Sequence, residues 1–183
     1  MTVPADLIPL LQRTAEDPRP IVVAMCGVAG SGKSTLSKSI VSKFPTFIRL
    51  SIDQIIFDAH GIYGVDYPKE LYREYSSEAN KKFIDDLRGL LSSDEPRDVV
   101  LDRSFYAKDD RDDYRKLAEE MGARFVLVFF DINKDKLWQR IQQRAAGDRN
   151  ADSAFEITSD ILDMYVGGFE SPDEDEISVI ITG

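Results

Sequence analysis

Five apolar runs divide the chain, and each is short enough to be a strand. Ile21-Val22-Val23-Ala24-Met25-Cys26 has no polar alternation, which is the pattern of a strand covered on both faces in a parallel sheet. Thr46 to Ile52 predicts a second strand ending at Asp53, Asp98 to Asp102 a third, Phe125 to Phe130 a fourth and Ile177 to Ile181 a fifth. The segments between them carry helical spacing. Lys33 to Phe44 puts Leu36, Ile40, Val41 and Phe44 on one side. Pro68 is suited to open a long helix that runs to about Leu91, because proline is favoured at the first helical position. Asp109 to Met121 is amphipathic and is followed by Gly122 as an end cap, while Asn133 to about Arg144 and Glu156 to Val166 supply two more helices. Ahead of the first strand, Val3 to Thr14 has apolar residues at helical spacing until Asp17-Pro18-Arg19-Pro20 interrupts it. Residues 54–67 are mixed, and 145–155 are polar, small and loop-like.

Strands that alternate with helices define an α/β fold with a parallel sheet and right-handed crossovers. Ligands then bind outside the C-terminal ends of the strands. We expect one domain over residues 1–183, with an N-terminal helix and linker at 1–19 and a lid at about 140–156.

The chemistry-bearing motif follows the first strand at once. Gly27-Val28-Ala29-Gly30-Ser31-Gly32-Lys33-Ser34-Thr35 meets the pattern G-x-x-x-x-G-K-[ST], which arises by chance in a chain of this size on the order of 1% of the time. Its glycines open backbone angles closed to other residues, so that the N–H groups of Ala29, Gly30, Ser31, Gly32 and Thr35 can turn toward phosphate oxygens. The helix that begins near Lys33 points its positive end at the same anions. Lys33 adds a charge on the β- and γ-phosphates, and the Ser34 hydroxyl is placed to ligate Mg²⁺.

Two aspartates close neighbouring strands. Asp102 ends an apolar strand and matches the second metal-holding element of a nucleotide site, or else a simple turn. Asp53 ends the second strand. It can take the proton of an attacking hydroxyl or, alternatively, cap the next helix. Arg140 and Arg144 share a helix face, and Arg149 follows. In the lid they can offset charge on a transferring phosphoryl group. Arg103 has either a substrate contact or an acidic neighbour to pair with. Tyr63, Tyr67, Tyr72 and Tyr75 make either a core stripe or a pocket wall. His60 and Cys26 read as structural residues.

Composition narrows the partners. One Cys and one His leave no Cys/His zinc site, so a metal here takes oxygen ligands. The lone cysteine and the missing secretory signature suit the cytoplasm, and no apolar run approaches a membrane span. A net charge of -10 disfavours a long polyanion, so no nucleic-acid partner is expected.

The loop, Leu50-Ser51-Ile52-Asp53, Val99 to Arg103 and Arg140 to Arg149 together resemble the small P-loop kinases of an AAA-type ATP-binding family, whose relatives include zeta toxins, polynucleotide kinase and chloramphenicol phosphotransferase. The resemblance runs from about Ile21 to Ile181. It implies a P-loop NTPase fold with a five-stranded parallel sheet in the order 2-3-1-4-5, and ATP with Mg²⁺. It also implies Asp53 as base, Asp102 near the metal, and Arg140 and Arg144 on the phosphates. The chain departs from polynucleotide kinase in having few cations over residues 54–80. The expected activity is transfer of the γ-phosphate of ATP to a hydroxyl of a small molecule. A nucleoside or nucleotide kinase and a slow nucleotide-dependent switch are the alternatives, and the oligomeric state is left open.

Overall fold

The computed structural model describes residues 1–145, 147, 150–153 and 155–183. A five-stranded sheet forms its centre, all parallel, in the order β2-β3-β1-β4-β5. The strands are β1 (Ile21–Cys26), β2 (Phe47–Ser51), β3 (Asp98–Asp102), β4 (Arg124–Asp131) and β5 (Val179–Thr182). The helices are α1 (Lys33–Lys43), α2 (Ile52–His60), α3 (Tyr72–Leu91), α4 (Lys108–Glu120), α5 (Lys134–Ala145) and α6 (Ser159–Gly168). The order implied by the resemblance is the order found.

The unbroken apolar run of β1 has a direct cause. Val22, Ala24 and Cys26 face a core with Phe83, Leu87 and Leu91 of α3 and Tyr114 and Ala118 of α4. Ile21, Val23 and Met25 face the other side, against Leu36 and Ile40 of α1 and the N-terminal Leu7 and Leu11. All six β1 residues are buried. Burying a Val, Leu, Ile or Phe side chain contributes about 1.5–3 kcal/mol, so both layers are held by the central strand. A third cluster joins Val28 to Leu137 and Ile141 of α5 and Leu162 of α6, with Trp138 partly buried against it.

The structure corrects several boundaries. The N-terminal helix expected over Val3 to Thr14 shrinks to a single 3-10 turn, Ile8–Leu11. Pro9 lies inside that stretch, lacks an N–H and clashes with the preceding turn. The second strand stops at Ser51 rather than Ile52, and residues 54–60, expected as mixed structure, belong to α2, which Ser51 caps by accepting from the Gln54 N–H at 3.3 Å. Pro68 does not open the long helix. It is extended and precedes a 3-10 turn at Lys69–Leu71, and α3 starts at Tyr72. The last strand starts at Val179 rather than Ile177. Among the described residues, no helix is long and apolar enough to cross a membrane.

Candidate active site at the C-terminal edge of the sheet

The C-terminal ends of β1, β2 and β3 converge on a cavity of about 540 Å³, a size suited to small ligands. Ala29, Gly30, Gly32, Lys33, Ser34 and Thr35 line one end, with Asp53, Asp102, Arg140 and Arg144 around it.

The loop itself is held from two sides. The Gly27 N–H donates to the Ser104 carbonyl at 3.0 Å, which ties the loop to the segment after β3. Gly30 has φ +84°, and a Cβ there would stand 2.9 Å from the Leu137 carbonyl and 3.0 Å from Ile141 Cγ1. Only glycine lets α5 press this close. Gly32, at φ +108°, turns the chain into α1. The Lys33 ammonium donates to the Val28 carbonyl at 2.9 Å and lies 3.4 Å from Ser31 Oγ, inside the curl of the loop. Burial pushes Lys33 down to about 8, against the pull of the Asp102 and Asp53 carboxylates. Arg140 Nη1 donates to the Ser31 carbonyl at 2.9 Å, so this arginine is anchored on the loop. Arg144 faces the cavity from the next turn of α5 and has no carboxylate partner among the described residues. Arg149 lies outside the described residues.

Asp53 does not cap its helix, since Ser51 fills that role. It sits in the first turn of α2, open to the cavity, and makes no hydrogen bond or ion pair among the described residues. Its side chain is exposed toward the cavity, but the protein around the cavity, with the Asp102 charge added, pushes its carboxyl up to about 6 while Lys33 pulls the other way. The Ser34 hydroxyl donates to Asp102 Oδ1 at 3.2 Å, so two hard oxygens stand side by side at the end of the loop. That donor pair fits a magnesium ion that draws its remaining ligands from phosphate and water.

Three residues, Arg49, Lys38 and Asp152, were missed by sequence reasoning. Arg49 of β2 donates to Asp102 Oδ2 at 2.7 Å and to Asp152 Oδ1 at 2.7 Å. Lys38 of α1 pairs with the same Asp152. Asp152 lies in a 3-10 turn, Ala151–Ser153, within the expected lid. A signal for Arg49 was present. A charged residue inside the apolar run Phe47-Ile48-Arg49-Leu50 must find a partner when buried. The remaining candidates divide. Arg103 is committed to Asn80 (3.2 Å), the Tyr114 hydroxyl (3.0 Å) and Asp110 (3.2 Å). His60 stacks on Tyr75 with centroids 3.5 Å apart. Cys26 is buried at the end of β1 beside the Phe105 carbonyl, and burial pushes its thiol up to about 11. Tyr63, Tyr67 and Tyr72 line the cavity.

A phosphate loop between the central strand and α1 of a parallel 2-3-1-4-5 sheet defines the P-loop NTPase class with a kinase-like fold. Residues 22–172 match the profile of an AAA domain family, and the chain belongs to that family. Solved structures share the fold at low identity. A candidate kinase from Chloroflexus aurantiacus J-10-fl superposes with a TM-score of 0.67 at 18% identity, covering 89% of this chain and 86% of that one. The Mycobacterium tuberculosis APS kinase CysC, in complex with AMPPNP and APS, gives 0.58 at 16% identity, covering 90% and 88%. Chaetomium thermophilum Kti12, in complex with ADP-AlF3, gives 0.60 at 17% identity, covering 88% of each. A search of curated proteins finds no significant sequence match.

Proposed function

We propose that this protein is an ATP-dependent phosphotransferase whose acceptor is the hydroxyl of a small molecule. The observation that carries the reading is Asp53. Among the described residues its carboxylate has no hydrogen bond or ion pair, and it stands in the first turn of α2, on the wall of the same cavity that the phosphate loop lines.

On this reading the loop amides and Lys33 bind the β- and γ-phosphates of ATP. Lys33 must leave the Val28 carbonyl to do so, and the phosphate charge then favours its protonated form. Ser34 and Asp102 Oδ1 would hold Mg²⁺, which supplies charge neutralisation of the phosphate oxygens when bound. Arg49 fixes the other oxygen of Asp102, and so sets the direction in which Oδ1 points. Asp53 accepts the proton of the acceptor hydroxyl as its oxygen bonds to the γ-phosphorus and the bond to the leaving ADP oxygen breaks. The acceptor hydroxyl is a weak acid, so this proton moves late, when the new bond is largely made. Arg144, free toward the cavity, and Arg140, anchored on the loop, offset the charge of the transferring group. Ordering by the lid keeps water from competing as acceptor.

The test is a panel of metabolites incubated with labelled ATP and the purified chain, scored for phosphorylated product beside an Asp53→Asn control. The substitution is expected to lower transfer by about 10²- to 10⁴-fold with ATP binding retained. Normal transfer by Asp53→Asn would remove the base assignment. ATP hydrolysis with no acceptor phosphorylated at all would favour a nucleotide-dependent switch instead.

A further inference from the structure

Away from the phosphate loop the cavity wall changes character. Tyr63, Tyr67 and Tyr72, from the segment after α2, meet Phe155, which enters from the lid. The ring centroids of Tyr63 and Phe155 are 4.6 Å apart, those of Tyr72 and Phe155 5.3 Å, and those of Tyr63 and Tyr72 5.3 Å. Tyr67 joins at 6.1 Å from Tyr63. These spacings make one continuous aromatic wall from two distant parts of the chain.

A wall that only packed the core would bond its hydroxyls, as buried tyrosines do. Here none of the Tyr63, Tyr67 and Tyr72 hydroxyls has a hydrogen-bond partner among the described residues, and all three residues line the cavity. The rings are fixed and their polar tips are left over. Such a surface suits a ligand with a flat apolar face and polar edges.

The charges around the wall are of both signs. Among the described lining residues, Lys33, Arg140 and Arg144 belong to the phosphate-loop end. Arg103 also lines the cavity, with its guanidinium spent on Asn80, Tyr114 and Asp110 and stacked over Phe105 and Tyr114. The Lys69 ammonium lies 5.7 Å from the Tyr63 ring centroid. Of the lining carboxylates Asp53, Asp102 and Asp152, the last two are paired with Arg49 and Lys38. The flat apolar wall, rather than the charge, is therefore what selects the acceptor.

We infer that the phosphate acceptor is an aromatic alcohol, stacked against Tyr63, Tyr72 and Phe155 with its hydroxyl at Asp53. This rests on the phosphotransferase reading above. Nucleosides and aromatic amino alcohols belong to the class. Glycerol and hexoses do not.

The experiment compares kcat/KM of the full chain for matched acceptors. The set holds nucleosides, benzylic alcohols and aromatic amino alcohols, their phosphorylated or carboxylated counterparts, glycerol and hexoses, and a 5′-hydroxyl oligoribonucleotide. Turnover is expected to favour the aromatic alcohols over glycerol and hexoses by about tenfold or more. Phe155→Leu, which keeps apolar volume and removes the ring, is expected to raise the acceptor KM about tenfold while the Kd for ATP stays within about twofold. Tyr63→Leu, checked for folding by thermal melting, serves as the second variant. Preference for hexoses or glycerol would overturn the inference, as would an unchanged acceptor KM in both variants. Ligand-observed NMR with a non-hydrolysable ATP analogue separates the two claims. Aromatic alcohols that bind but are never phosphorylated would sink the phosphotransferase reading and leave the pocket assignment standing. If they neither bind nor react, the pocket assignment is wrong.

Discussion

The carboxyl of Asp53 keeps its proton to higher pH than a free aspartate, because it is crowded by protein and faces Asp102 and Asp152 with only Lys33 and Arg49 in opposition. As a base it works only when ionised. On the proposed mechanism, kcat/KM for ATP is therefore expected to rise through about pH 6 and level off above it, and Asp53→Asn should abolish the rise. The same shift has a stability sign. The folded state binds this proton more tightly than the unfolded chain, so stability falls as pH rises between the ordinary value of 3.8 and about 6. Asp53→Asn is expected to raise Tm at pH 8, with a gain of about 1 kcal/mol once screening by cavity water is allowed for, and the gain should vanish near pH 4. A lower Tm at pH 8 would mean that the carboxylate is held by favourable contacts. The phosphate loop was legible residue by residue because each position answers a local demand, such as the positive φ of Gly30 and Gly32. Arg49 was not, because its partners lie 53 and 103 residues away and only the folded sheet brings them together.

At the scale of elements, Asp152 connects the 3-10 turn Ala151–Ser153 to β2 through Arg49 and to α1 through Lys38. Asp152→Ala is expected to cost about 1–2 kcal/mol, since Arg49 keeps Asp102 but Lys38 loses its partner. The larger effect should be local opening at the 3-10 turn Ala151–Ser153, read as faster proteolytic nicking there with the sheet still folded. Unchanged nicking would show that Phe155 and its aromatic neighbours hold the lid without the ion pairs. Strands were the easiest elements to read, because a run covered on both faces has only apolar residues to offer, as in β1 and β3. Helix starts were harder. α2 was hidden by the aromatics and Gly61 that follow it, although Ser51 with Gln54 three residues on is a capping signal. Pro68 carried a helix-start signal that the fold does not use, since Leu71 sits between it and α3.

Across the whole molecule, Arg111 is fully buried and binds the C-terminal segment to α4. Its guanidinium donates to both Glu176 oxygens, at 2.8 and 3.2 Å, and to the Glu170 carbonyl at 2.9 Å. Glu176 ends an acidic stretch, residues 171–176, yet it is buried and seats the start of β5 against β4. Its hydrogen bonds with Arg111 hold its carboxyl down to about 2. A depressed carboxyl stabilises the fold above its ordinary value of 4.5, and that contribution is lost as pH falls toward about 2. Glu176→Gln should therefore lower stability at pH 7 on the order of 2–3 kcal/mol, with the gap to the parent protein closing in acid. Urea melts at several pH values measure this directly.

The close seating of α5 on the phosphate loop has an optical consequence. The chain holds a single tryptophan, Trp138, and it leans on the cluster that joins Val28 of the loop to α5 and α6. Its indole is the one long-wavelength emitter in the protein and stands beside the part that must adjust when triphosphate displaces Lys33 from the Val28 carbonyl. Excited beyond the tyrosine band, it is expected to change intensity or colour saturably as ATP is added. Nucleotide affinity, lid release in Asp152→Ala and the effect of an acceptor can then all be followed without a dye or a label.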